Sequence, residues 1–598
     1  MQSPPASPRL LLLLALALAA LLAFLTSTPT AALLHHHHRY ASSSPARALL
    51  VPRRTQQQRA VVRDLHHDDR YPPDAVLLPD WEVLVLLHPA APGTKTTDAT
   101  CAFPGGAASP ARSLGRMPAS GRQAYTCVMP TPERRRKPPF RAPSLIVTTT
   151  ASSQQQTHNA AGEEMLRWSG RQIVYDAVAL TGTGDVLVLA KGVNPRQGVN
   201  RNASDIQCVY YYRRHKYNAT GVVASLPAAT SAQQVFRCPP PPATARLDGD
   251  DVLRVTLAVA GGEPIPSMAT YSGRPPPEHP AASSSSGSGT QQQEQEQRSK
   301  LCACTMVRDV AKFLREWVAY HAAVGVDRFF LYDNGSQDDL AGEVRQLRAA
   351  GFDVSTRPWP WSKTQEAGFS YAAAAHRDSC EWMAFVDVDE FIFSPRWARS
   401  SRPSRSSMLR SVVAAVEADV GQVTLGCRDF GPSGRTRHPE EGVTQGYTCR
   451  RRAEERHKSL VRLDAVAPSL MNSVHHFEVR AGFRWERSGH ARVNHYKYQA
   501  WDEFKVKFRR RVSTYVADWT DPVNRGSRDR TPGLGFEAVE PEGWAHSFCE
   551  VEDTLLRDVT RRWFGFTSKL VVAPPITPHT TSSSEHSRRR CLSSLIGI

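Results

Sequence analysis

Apolar and polar positions change period several times along the chain, and each change predicts a different kind of element. Residues Leu10 to Leu25 are apolar without a break, sixteen in a row, with Arg9 before them and Pro29 after. Such a run is short for an average bilayer but adequate for a thinner early-secretory membrane. It predicts a signal-anchor helix over 10–30 behind a cytosolic 1–9; a cleaved signal peptide, processed near Thr30 and Ala31, is the rival reading. From 31 to 160 no period is sustained. Pro, Ala, Ser, Arg and Gln dominate, with HHHH at 35–38, QQQ at 56–58 and RRRK at 134–137, and only Trp81 to Leu87 reads as a strand. That stretch predicts a low-complexity stem.

Residues 161–273 switch to short β-branched and aromatic runs: QIVYDAVAL (172–180), DVLVLA (185–190), IQCVYYYR (206–213), QQVFRC (233–238) and DVLRVTLAVA (251–260). Turn residues separate them, which predicts a small all-β sandwich. Its Tyr210, Tyr211 and Tyr212 either stack on sugar rings or simply alternate between core and surface. Residues 274–300 are Pro, Ser, Gly and Gln without an apolar period, and predict a linker. From 301 to 572 strand-like and helix-like periods alternate, the mark of an α/β fold. A strand at 301–309 leads to a helix at about 310–324, whose Phe313, Leu314, Trp317, Val318 and Val324 share one face before Gly325 stops it. A second strand follows at 327–339, and residues 573–598 read as a loose tail.

Composition changes this picture little. Of 598 residues, 74 are Lys or Arg and 57 Asp or Glu, a net charge of +17. The arginines accompany Ala and Pro even in the unpatterned stretches, so compositional drift explains them better than nucleic-acid binding. There is no zinc-finger spacing, RNP motif or basic helix with interleaved aromatics, and no nucleic-acid partner is expected. Eleven cysteines are present, with one close pair, Cys302 and Cys304, and no metal-site spacing. In an oxidising compartment Cys208–Cys238 and Cys427–Cys449 are candidate bridges by proximity. Sequons start at Asn202, Asn218 and Asn334.

The candidate chemistry lies at strand ends of the α/β block, where open parallel sheets bind ligands. Asp309, Asp333, Asn334, Ser336 and Asp338 fall there, although Asp-Asn-Gly-Ser is also ordinary turn chemistry. The sharpest signal is EWMAFVDVDEFIF (381–393), in which an apolar strand ends in Asp387-Val388-Asp389-Glu390. Side chains at 387 and 389 point the same way on an extended chain. Two converging carboxylates form a hard-oxygen site for Mg²⁺ or Mn²⁺. Without a cation this acidic group would repel itself.

The ordered set VRDVAKFLREWVAYHAAVGVDRFFLYDNGSQDD, FVDVDEFIF, GPSGRTRHPEEGVTQGYTCRRR, HKSLVR, VHHF and NHYKYQ resembles glycosyltransferase family 92, over about 302–570. Plant members of that resemblance include β-1,4-galactan synthases. It implies a GT-A-type catalytic domain at 301–572 and an inverting enzyme using a nucleotide sugar, UDP-galactose as best guess, with Mn²⁺ or Mg²⁺. Carried over, Asp387 and Asp389 hold metal and diphosphate, and Arg308, Asp309, Asp333 and Asn334 line the nucleotide pocket, which would silence the Asn334 sequon. His495, or else His476, completes the metal shell. Glu441, with Glu440 beside it, is the candidate base. Lys458 or Arg452 screens the diphosphate, and Trp359, Trp361 and Phe369 either shape the sugar pocket or form a buried cluster. The implied partners are the donor, a glycan acceptor such as cell-wall β-galactan and, through a single N-terminal helix, a membrane, with a homodimer considered. The implied setting is the Golgi, type II, catalytic domain lumenal. A secretory carbohydrate-binding protein that keeps the fold without turnover is the alternative.

Overall fold

The computed structural model describes residues 73–273, apart from a few short stretches, together with 298–506 and 540–566. The anchor at 10–30 and the tail at 573–598 lie outside them, as does the linker predicted at 274–300 except its last three residues, of which Ser299 and Lys300 already begin a strand. Among the described residues no helix is long and apolar enough to cross a membrane.

The C-terminal half is built on one nine-stranded sheet, whose strands are numbered in chain order. They are β1 (Ser299–Val307), β2 (Arg328–Asp333), β3 (Asp353–Pro358), β4 (Cys380–Phe385), β5 (Glu390–Phe393), β6 (Val420–Asp429), β7 (His457–Arg462), β8 (Arg484–Arg487) and β9 (Arg492–His495). Their order is β3-β2-β1-β4-β7-β6-β9-β5, with β8 on β6. β3, β2, β1 and β4 run parallel, and β7 turns antiparallel against β4. The parallel strands read as near-continuous apolar runs because both of their faces are covered. Helix α1 (Ala311–Val324) packs one face with Leu314, Trp317 and Val318, as its periodicity predicts. Helix α2 (Leu340–Ala349) starts on Asp339, whose side chain accepts from the Gly342 N–H. Helix α3 (Gln365–Ala375) covers the other face.

The stretch read as stem is instead largely sheet wherever the structure describes it. Strands at Asp74–Leu77, Glu82–Leu86, Thr96–Ala102, Ala108–Arg116, Gln123–Val128, Ser144–Thr149 and Gln155–His158 join Leu166–Arg167 in eight strands. Short apolar segments such as Val83 to Leu86, and a Cys101–Cys127 disulfide, supply a core that the surrounding Pro and Arg conceal from a composition reading. Residues 173–259 form a four-stranded and a three-stranded sheet around a shared core of Val188, Cys208, Phe236 and Leu257. Tyr210 is buried there, its hydroxyl donating to the Pro239 carbonyl. Cys208 bonds Cys238 as proximity suggested. Cys427 does not meet Cys449: it is a buried thiol, while Cys449 pairs with Cys549 and Cys302 with Cys380.

These layers are fused. Arg122 and Arg254 both pair with Asp74, at 2.7 and 2.8 Å, and all are buried. Trp168 stacks on Trp361 at 5.6 Å, and the Tyr371 hydroxyl donates to the Pro118 carbonyl. One apolar core therefore contains Val76 and Leu84 from the N-terminal sheet, Tyr175 and Leu187 from the next, and Trp359, Trp361 and Phe385 from the C-terminal half. Trp359, Trp361 and Phe369 are fully buried, so they form that cluster rather than a sugar platform.

Candidate active site

The titratable groups converge where β4 ends. Val386 and Val388 are buried in the core, and the strand ends at Phe385, so Asp387 and Asp389 sit on a turn closed by the Glu390 N–H donating to the Asp387 carbonyl at 3.0 Å, not on the extended chain the sequence suggested. Because β7 is antiparallel to β4, its first residues reach the same edge. Lys458 places Nζ 2.9 Å from Asp387 Oδ2 and 2.7 Å from Glu390 Oε1. The Asp387 N–H donates to the other Glu390 oxygen at 2.9 Å. His475 Nε2 lies 2.5 Å from the same ammonium, and its Nδ1 is 2.9 Å from the Phe385 carbonyl. That makes His475 a neutral ring, donating from Nδ1 and accepting at Nε2. Burial, reinforced by the Lys458 charge, pulls its pKa down to about 3.

On the far side, parallel pairing sets Asp429 of β6 opposite His495 of β9. Asp429 is 2.8 Å from His495 Nδ1 through one oxygen and 2.8 Å from Lys497 Nζ through the other. His495 Nε2 then faces Asp389 Oδ2 at 3.5 Å and Glu390 Oε1 at 3.7 Å.

Charges in this nest hold one another in place. Burial would raise Asp387, but the Lys458 ammonium outweighs it and holds the carboxyl well below its ordinary range. Asp429 is likewise held low against burial, by His495 and Lys497. Glu390, fully enclosed, is pushed up by burial despite Lys458. Lys458 is raised because its two carboxylates outweigh its burial. The expectation that the acidic run repels itself without a metal is therefore corrected: a lysine stands between Asp387 and Glu390.

Among the described residues no three His, Cys, Asp or Glu side chains are grouped as a metal cage. The donors present nonetheless suit a hard divalent ion that keeps substrate and water oxygens in its shell. Asp387 is committed to Lys458, which leaves Asp389 and His495 facing each other. The Asp429 carboxylate on Nδ1 keeps Nε2 of His495 available, the usual second partner of a ligating histidine.

The other expected residues fall into two places. Arg308 and Asn334 follow β1 and β2 and border a cleft at the carboxyl ends of the parallel strands. Asp309 and Asp333 shape its loop: Asp309 Oδ1 accepts from Gln337 N–H at 2.5 Å and Asp333 Oδ1 from Ser336 N–H at 2.8 Å. The Asn334 amide donates to the Trp359 and Trp361 carbonyls, which engages the nitrogen a glycan would need. Glu441 accepts from Arg435 at 2.5 Å within its own loop, and no described contact joins it to the acidic nest. His476 points away to His457 and the exposed Trp485, so His475 is the histidine of VHHF that reaches the site. His475, Asp429 and Lys497 were missed by sequence reasoning. The doubled His and the strand-terminal Asp429 were the available signals.

Fold and site together define an α/β protein with a carboxylate–histidine–lysine centre at the carboxyl edge of a largely parallel sheet. The family model for glycosyltransferase family 92 matches residues 297–524. A family 92 protein of Oryza sativa subsp. japonica is 39% identical over 407 residues, 67% of each chain. One from Ricinus communis is 40% identical over 411 residues, 67% of this chain and 68% of its own. Matches of that length extend upstream of residue 297, into the β-rich half. The chain belongs to glycosyltransferase family 92. Among solved structures, a mannosyltransferase from Pyrobaculum calidifontis aligns at 12% identity over 37% of this chain and 63% of its own, with a TM-score of 0.22, too weak to bear on the site.

Proposed function

We propose that this chain is an inverting, nucleotide-sugar-dependent transferase of GT-A type that moves galactose from UDP-galactose to a glycan such as cell-wall β-galactan. It would do so in the Golgi lumen, behind its N-terminal apolar run. The observation that carries this reading is the nest at the end of β4, in which Asp389 and His495 face each other and Lys458 neutralises Asp387 and Glu390. A divalent ion held by Asp389 and His495 would supply positive charge to the departing diphosphate.

The chain's own residues do the rest. Asp429 orients His495, Lys458 and His475 fix Asp387, and Gln365 donates to the second Asp387 oxygen at 3.4 Å. A rigid, prearranged charge pattern of this kind stabilises charge developing in the transition state. Glu441 remains the proposed base, and to take a proton from an acceptor hydroxyl it must release Arg435.

The test is UDP release by the purified chain given UDP-galactose, Mn²⁺ and β-galacto-oligosaccharides, with Asp387→Ala/Asp389→Ala as control. Metal-dependent transfer abolished in the double variant supports the reading. Folded protein that binds β-galactan yet turns over no nucleotide sugar would favour the carbohydrate-binding alternative.

A further inference from the structure

The cleft beside Arg308 and Asn334 has a second wall that comes from outside the catalytic half. Glu82, Arg112 and Thr126, on three neighbouring strands of the N-terminal sheet, face Arg308, Asn334 and Ser362 across it. Those last three follow β1, β2 and β3 in turn, at the carboxyl ends where an open sheet takes its ligand. The two walls are tied together, because Arg112 donates from Nη1 to the Ser336 carbonyl at 2.5 Å. Behind them the apolar core is continuous.

One short stretch of chain borders both the cleft and the acidic nest. Ser362 borders the cleft, and Gln365, three positions on, donates to Asp387. Three residues reach at most about 11 Å. The acidic nest and the cleft therefore share the short stretch 362–365, with Arg112 and Arg308 on the cleft side of it.

We infer that the N-terminal sheet forms one wall of the donor site, with Arg112 and Glu82 closing on the nucleoside end of a nucleoside diphosphate. This rests on the nucleotide-sugar reading above. The chemistry sets the direction of binding. Glu82 repels phosphate, so the diphosphate lies toward Lys458 and the Asp389–His495 pair. At the cleft, Glu82 can accept from a base N–H or ribose hydroxyl, and the Thr126 and Ser362 hydroxyls can both donate and accept. The guanidiniums of Arg112 and Arg308 favour an anionic ligand overall.

UDP binding to the full chain, measured by calorimetry, tests the inference. Arg112→Ala and the cleft-filling Thr126→Trp should each weaken binding about tenfold or more. The KM for UDP-galactose should rise, and that for the acceptor should not. A measurement that needs no variant is amide exchange: exchange within residues 108–128 should slow when UDP is added. UDP protection of residues 305–310 without protection of 108–128 would overturn the inference, as would wild-type affinity in both variants. If the wild-type chain bound no nucleoside diphosphate, the transferase reading itself would fall, and the wall with it.

Discussion

Lys458 shows how one side chain decides whether an acidic cluster is stable. Its ammonium is almost wholly buried and bonded to Asp387 and Glu390. Breaking a buried pair strands the partner charge, at a cost of about 3–5 kcal/mol. Lys458→Met should therefore lower unfolding free energy by that order in urea melts. Adding Glu390→Gln should recover part of the loss, since it removes one stranded carboxylate. Asp176 makes a prediction in pH. It lies in the core beside Trp361, and burial raises its pKa to about 7 from 3.8. The unfolded chain releases this proton near pH 4 and the folded chain only near 7, so the folded state binds more protons between. This group thus lowers stability as pH rises from about 4 to about 7, by up to about 4 kcal/mol, and adds nothing further above. Asp176→Asn should gain on the wild type over that window. Equal urea midpoint shifts for both chains at pH 5 and pH 7.5 would contradict it. Nothing in DAVAL announces this, because whether a strand aspartate is solvated depends on what packs over it.

At the scale of elements, the parallel strands and the helix after β1 were legible because a covered sheet demands long apolar runs and an amphipathic helix repeats every 3.6 residues. The pairing of distant strands was not. Cys302 and Cys304 read as a close pair, yet Cys302 bonds Cys380 across the β1–β4 ladder and Cys304 stays a buried thiol. That bridge closes 78 residues of sequence. Cys302→Ala/Cys380→Ala should cost about 2–4 kcal/mol, read from denaturant midpoints of oxidised wild type and variant. A smaller test concerns α2: Asp339→Ala removes its N-terminal cap and should cost about 1 kcal/mol in the same assay.

At the scale of the molecule, the family segment from 297 is not a separate body in this chain. Trp359, Trp361 and Tyr371 are buried partly against the Leu84 and Trp168 side of the shared core. A fragment beginning at 297 should expose that face, bind a hydrophobic dye and lack a cooperative melt, whereas the chain from 73 should unfold in one transition. A monomeric, cooperatively melting 297 fragment would refute the shared core.

The sequence by itself determined the α/β character of the second half, the strand that leads to Asp387 and Asp389, and the family resemblance. These depend on local period and on ordered motifs, which survive in one dimension. Only the tertiary structure decided that Lys458 neutralises the acids, that Asp429 rather than a neighbour in sequence orients His495, and that residues 74–158 are largely sheet and not stem. Lys458 meets Asp387 across 71 residues and Asp429 meets His495 across 66, brought together by strand pairing, and charge, burial and hydrogen bonding act through space regardless of chain separation.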